Sequence, residues 1–114
     1  MPVKNGGTKI SFERMCQINE NIILMGEFSI KSGELGNFKE LVKEMVDAIQ
    51  VNEPDTLTYE IFISEDGNSC QFMERYVDSD AVMTHVGNFR EKFGGRFWAL
   101  LEPRGVQGFW QSQR

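Results

Sequence analysis

Residues 21–31 alternate: Ile22, Leu24, Gly26, Phe28 and Ile30 fall on one side, and Ile23, Met25, Glu27, Ser29 and Lys31 on the other. A period of two predicts a strand with one apolar face and one mixed face. Ser32-Gly33 turns the chain. Leu35, Phe38, Val42, Met45 and Ile49 then recur at helical spacing, with Leu41 and Val46 widening the stripe. Asn37 followed by Glu40 has the form of a capping box, so the helix is expected to begin at Asn37, with Leu35 as its staple, rather than at Ser32. Pro54 marks its end. Residues 56–64 alternate again, with Leu57, Tyr59, Ile61 and Ile63 opposed to Thr56, Thr58, Glu60 and Phe62. Glu65-Asp66-Gly67-Asn68 is a hairpin turn. Residues 69–77 return as a third strand, with Cys70, Phe72, Glu74 and Tyr76 on one side.

Asp78 or Ser79 caps the next helix, whose stripe is Val82, Val86, Phe89 and Phe93. Asn88 and Glu91 repeat the capping-box spacing and Gly94-Gly95 follows, so this helix has two weak points. Phe97, Trp98, Leu100 and Leu101 prolong its apolar side up to Pro103, and residues 104–110 read as a last strand. The order is β-α-β-β-α-β, an α+β, ferredoxin-like arrangement with a four-stranded antiparallel sheet. Residues 1–20 read as an N-terminal extension, in which Ile10 and Phe12 suggest a short strand, and residues 21–111 as one domain.

At 114 residues the chain fits a single domain. No apolar run approaches the roughly 20 residues that span a bilayer, and no secretory start is visible. A cytoplasmic, non-membrane protein is expected. The net charge of −5 is uneven: residues 88–114 carry five basic and two acidic side chains. A net acidic chain is repelled by phosphate backbones, so nucleic acid is not an expected partner. The basic end suits either a small anion or, more commonly, a solvated helix face. Cys16, Cys70 and the single His85 lack the spacing of a metal site, and no glycine-rich nucleotide fingerprint appears, so neither metal nor cofactor is expected.

The mixed strand faces carry Ile23, Met25, Phe62, Met73 and Val77. Two helices cover only one side of a sheet. The remaining apolar face predicts a twofold homodimer, unless the extension or the second helix covers it within one chain.

Thr56-Leu57-Thr58-Tyr59-Glu60, Ser64-Glu65-Asp66-Gly67, Glu74-Arg75-Tyr76, Asp78-Ser79-Asp80-Ala81 and His85 together resemble the antibiotic-biosynthesis monooxygenase (ABM) family. Ile30-Lys31-Ser32-Gly33, Phe38 and Glu102-Pro103 fit the same pattern, so the likeness spans about residues 21–111. It implies a dimeric α/β barrel with a pocket between sheet and helices in each subunit. Characterised members include cofactor-free oxygenases of quinols and polyketide phenols, haem-degrading enzymes and an isomerase of a quorum-sensing sugar. The haem degraders have an Asn on the first strand and a Trp near the end of the third. Here residues 22–31 contain no Asn, Tyr76 stands at the third-strand position, and His85 precedes the place of the haem ligand. Haem degradation is disfavoured.

The resemblance and the residues together point to a cofactor-independent monooxygenase using molecular oxygen on a small aromatic, phenolic or quinol substrate. The alternatives are a non-catalytic binding or stress-related dimer of the same fold, and an isomerase of a small hydroxyketone. His85 is the candidate base, set against an ordinary buried helix histidine. Glu74 or a tyrosine hydroxyl is its expected partner. Glu74 is the reserve base, set against a salt bridge to an arginine or lysine. Tyr59 and Tyr76 are candidates to bind a phenolic group, and Phe89, Phe93 and Trp98 to wall an apolar pocket; residues of all three types at these spacings are more often core.

Overall fold

Strand alternation and helical stripe become layers in the computed structural model, which describes residues 20–111 and their side chains to residue 105. Strand β1 (Ile22–Ile30) leads to helix α1 (Leu35–Asn52), the hairpin β2 (Thr56–Ile63) and β3 (Ser69–Tyr76), helices α2 (Ser79–Lys92) and α3 (Gly94–Leu100), and strand β4 (Leu101–Gln111). The sheet order is β2-β3-β1-β4, and every pairing is antiparallel. This is the ferredoxin-like α+β arrangement. The extension and its Ile10–Phe12 strand lie outside the described residues.

The helices cover the face bearing Ile22, Phe28, Ile30, Cys70, Phe72 and Tyr76. Phe38, Leu41 and Met45 of α1 pack there with Phe97 and Leu101, all nearly inaccessible to solvent. Burying each such side chain contributes about 1.5–3 kcal/mol. Phe28, Phe72 and Phe97 meet edge to face, at centroid distances of 5.2–5.6 Å. Arg96 of α3 donates to both carboxylate oxygens of Glu44, tying α3 to α1 across the surface.

Helix α1 starts two residues before the expected cap. Glu34 is its N-cap without a side-chain hydrogen bond, and the Asn37 amide donates back to Glu34 at 2.9 Å. Leu35 is the reason: it packs on the core and over the hairpin turn, where a Cβ on Gly67 would lie 3.1 Å from it. Gly67 also has φ +74°, the left-handed conformation that glycine adopts without strain. At α2 the expected cap forms, with the Asp78 carboxylate accepting from the Ala81 N–H. The helix runs through Gly87 and Asn88 and breaks only at Phe93, so the long second helix is two helices. Asn88 caps nothing because its amide donates to Glu53 instead. Pro103 does not end a helix; α3 stops at Leu100 and Pro103 lies within β4. That is an edge strand, with a register shift beside the Phe28–Pro103 pair, where a missing N–H is tolerated.

The uncovered face of the sheet carries Ile23, Phe62 and Val77, each more than a third exposed, with Met25 and Met73 half-buried beside them. Leu57 and Ile63, assigned by alternation to the covered side of β2, are also exposed, near the two ends of this edge strand.

Candidate functional site

The inner face of β3 changes character along its length. Cys70 and Phe72 lie in the aromatic core, and burial pushes the Cys70 thiol up to about 12. Two and four residues further on, the same face presents Glu74 and Tyr76. The Tyr76 hydroxyl donates to Glu74 Oε1 at 2.5 Å. Tyr59 is opposite Glu74 on β2. Above them α2 turns Ala81 and His85 inward; both are buried.

His85 is 7% exposed, and its ring lies 5.1 Å from that of Tyr59 and 5.6 Å from that of Tyr76. Its Nδ1 is 3.0 Å from Oε1 of Glu53, the residue that ends α1. Glu53 is itself buried. The Thr56 hydroxyl donates to Oε1 at 3.0 Å and the Asn88 amide to Oε2 at 3.2 Å. The partner of His85 is therefore Glu53, not Glu74 or a tyrosine hydroxyl. Glu53 escaped the sequence reading because it sits between a helix end and Pro54, where a charged side chain is ordinarily solvated. The one hint was its position beside a helix-terminating proline, next to a strand that carries Tyr59.

Electrostatics sort these groups into donors and acceptors. Burial holds the Tyr59 hydroxyl well above the ordinary phenol range, and the Glu74 and Glu53 charges add to this. Tyr76 is raised by burial first, then by the charge and hydrogen bond of Glu74. Both phenols therefore stay protonated and act as donors. Burial also raises Glu74, outweighing the Tyr76 hydrogen bond and the neighbouring His85, which lower it. Glu74 forms no salt bridge among the described residues, so the arginine or lysine partner weighed for it is replaced by Tyr76. Among the described residues, His85 Nε2, the Tyr59 hydroxyl and Glu74 Oε2 have no hydrogen-bond partner.

A narrow cleft between α1 and α2, about 10 Å³ and so with room for about one water molecule, is lined by Met45, Ile49, Glu53, His85, Phe89 and Phe93, among others. A second, wider groove of about 310 Å³ runs between α1 and β2 and reaches Glu53 and Tyr59. Phe89 stacks obliquely near His85 at 6.2 Å and meets Phe97 at 4.9 Å. The structure thus brings together His85, Glu74, Tyr59, Tyr76 and Phe89, with Phe93 along the cleft. Trp98 stands apart: it is half-exposed, and its ring contacts are Phe28 and Phe97. Among the described residues, no three or more His, Cys, Asp or Glu side chains are grouped to hold a metal ion, and no helix is long and apolar enough to cross a membrane.

Solved structures share the fold. MupZ from Pseudomonas fluorescens is 23% identical with a TM-score of 0.68, covering 77% of this chain and 69% of its own. SnoaB, a cofactor-independent oxygenase from Streptomyces nogalater, is 15% identical with a TM-score of 0.68, over 83% of this chain and 95% of its own. A conserved protein from Methanosarcina mazei Go1 is 14% identical with a TM-score of 0.69, over 82% and 94%. No curated protein matches the sequence. The antibiotic biosynthesis monooxygenase family matches residues 21–90, which hold β1 through most of α2 and every member of the His85 cluster, and the chain belongs to that family.

Proposed function

We propose that this protein is a cofactor-independent monooxygenase of a small phenol or quinol, with His85 as its base. The observation that carries the reading is that His85 Nε2 and the Tyr59 hydroxyl, in a largely buried cluster, have no hydrogen-bond partner among the described residues. Buried polar groups without partners are rare in native proteins and mark places where something else binds. A phenolic ligand offers one acidic O–H to the imidazole and one oxygen to the tyrosine hydroxyl. Family membership supports the reaction class, and SnoaB supplies a cofactor-independent precedent on this fold.

In this reading Nε2 takes the phenol proton. The phenolate passes one electron to molecular oxygen, giving superoxide and a substrate radical. These combine into a C–O bond, the peroxide anion takes back the proton from His85, and the resulting hydroperoxide loses water to leave a quinone. One oxygen atom enters the product and the other leaves as water; the substrate supplies all four electrons. Tyr59 steadies the substrate oxygen as its charge develops. Burial raises the Glu74 carboxyl above its ordinary value, which opposes a second negative charge beside the phenolate.

The working unit is a homodimer closed through the uncovered sheet face, where Ile23, Phe62 and Val77 are exposed. Light scattering should give a dimer mass; a monomer across micromolar concentrations overturns this part. A buried free thiol at Cys70 suits a reducing cytoplasm.

The test is oxygen consumption with a panel of hydroquinones and polyhydroxylated aromatics, without added metal, haem or flavin. Uptake matched by equimolar loss of one substrate supports the reading. Saturable binding without oxygen uptake identifies a binding module. Turnover of a hydroxyketone without oxygen identifies an isomerase.

A further inference from the structure

Glu53 closes α1 and is buried, yet it is bonded on both oxygens. Oε1 accepts from the Thr56 hydroxyl and faces His85 Nδ1, and Oε2 accepts from the Asn88 amide. Three segments of chain converge on one carboxylate: the end of α1, the start of β2, and two successive turns of α2. A carboxylate can only accept, so the imidazole nitrogen facing it must carry the proton. The two ring nitrogens lie on opposite sides of the imidazole. If Nδ1 carries the proton of the neutral ring, Nε2 is left with its lone pair, directed away from Glu53. Among the described residues no other hydrogen bond reaches the ring, and the Glu74 charge acts on it only through space. Tyr59 and Tyr76 approach with their rings, and Tyr76 gives its hydroxyl proton to Glu74. Lys92 lines the same cleft two turns beyond His85.

We infer that Glu53 is a positioning residue: its carboxylate fixes His85 in the Nδ1–H tautomer and so makes Nε2 the basic nitrogen offered to substrate. The catalytic meaning of this rests on the oxygenase reading, but the tautomer does not. Asn88 and Thr56 hold the carboxylate's orientation, which the long, flexible glutamate side chain alone would not keep. Replacing the carboxylate with an amide lets the side chain donate to Nδ1, which moves the ring proton to Nε2 and blocks proton abstraction there.

The chain has a single histidine, so its ring nitrogens can be read without assignment ambiguity. Long-range proton–nitrogen correlation spectra of ¹⁵N-labelled protein should be recorded at alkaline pH, where they no longer change with pH. The expected wild-type spectrum has a protonated Nδ1 and an unprotonated Nε2. In Glu53→Gln the protonated signal should move to Nε2 or average between the two. A wild-type spectrum with Nε2 protonated overturns the inference, as does a folded Glu53→Gln that keeps Nδ1 protonated. If that variant does not fold, the wild-type spectrum alone still decides.

In turnover, Glu53→Gln should lower kcat by about 10²-fold or more, with KM little changed, as expected for loss of an interaction that matters only in the transition state. Failure of the two proposals is distinguishable. An Nδ1–H ring without oxygen uptake on any substrate leaves the positioning role standing and removes the oxygenase. An Nε2–H ring in a protein that turns over does the reverse.

Discussion

The two ends of the sheet–helix interface are built from the same strands and have opposite chemistry. At one end Phe28, Phe38, Leu41, Phe72, Phe97 and Leu101 form a dry cluster of apolar side chains. At the other, Glu53 is hydrogen-bonded with Thr56, His85 and Asn88, Tyr76 is bonded to Glu74, and Tyr59 lies between the two groups. The boundary falls between Phe72 and Glu74, neighbours on one face of β3. The apolar end holds the layers together and needs nothing from a ligand. The polar end carries desolvated groups, some with polar atoms that lack a partner among the described residues, and so is positioned for chemistry that the apolar end cannot perform. Stability and function should respond separately to changes at the two ends.

The sharpest contrast comes from Phe72→Ala and His85→Ala. Phe72 is 2% exposed and meets Phe28, Phe38, Tyr59 and Phe97. Its truncation should destabilise the fold by about 3–5 kcal/mol, read as a fall in the urea midpoint. His85→Ala should cost about 1 kcal/mol, the usual net worth of a hydrogen bond, and cut turnover by about 10²- to 10⁴-fold, the usual worth of a positioned acid–base group. A folded His85→Ala protein with full activity would move the proposed base to Glu74. A large stability loss with unchanged activity would make His85 a packing residue.

How far these two ends could be read from the sequence differs, for a physical reason. The apolar end is periodic: Leu35, Phe38, Met45 and Ile49 announce a helix, and alternation announces the strands. At the polar end the residue types were legible but the pairing was not. His85 stands out as the single histidine, and Glu74 and Tyr76 stand out on one strand face. Glu53 is 32 residues from His85, and nothing local marks a helix-end glutamate as buried. Asn88 misled for the opposite reason. Its spacing to Glu91 mimics a cap, but the helix had no need of one there and the amide was engaged by Glu53. Local pattern reports propensity; long-range hydrogen bonds are decided by how the elements stack.

A subtler probe of the polar end is the pH dependence of stability. The Glu74 carboxyl is raised above its ordinary value of 4.5, mainly by burial. The folded state therefore holds the Glu74 proton more tightly than the unfolded state does. That contribution to stability is complete below about pH 4.5 and is lost as pH rises through the folded value. Glu74→Gln keeps a neutral, hydrogen-bonding group at every pH. Relative to wild type, the variant should gain stability progressively as pH increases above about 4.5, in urea midpoints measured at several pH values. A difference that is flat with pH would show that Glu74 ionises as if in water, and would weaken the separation between the two ends.

The smallest expected effect is at Gly26, on β1 opposite Phe72 and on the inner face between Leu24 and Phe28. A Cβ added there would lie 3.1 Å from Phe28 Cε1 and 3.3 Å from Cζ, because the Phe28 ring folds back over the glycine. The ring is packed edge-on by Phe72 at 5.5 Å, Phe97 at 5.2 Å and Trp98 at 5.9 Å. Two of these neighbours are buried and cannot give way, while Trp98 is half-exposed and can. Gly26→Ala therefore shifts the ring by a few tenths of an ångström toward Trp98. Overpacking of this kind costs about 1–3 kcal/mol. Restricting the unfolded chain offsets about 0.4–1 kcal/mol of that. The net should be a loss of about 1 kcal/mol, together with a change in Trp fluorescence as Trp98 is displaced. Turnover should be unchanged, since the disturbance is absorbed on the side away from His85. A variant more stable than wild type would mean that Phe28 moves freely and that the apolar end is looser than its contacts indicate. A clear loss of turnover at normal stability would mean that the two ends are coupled through β1, and that the aromatic cluster helps to shape the site.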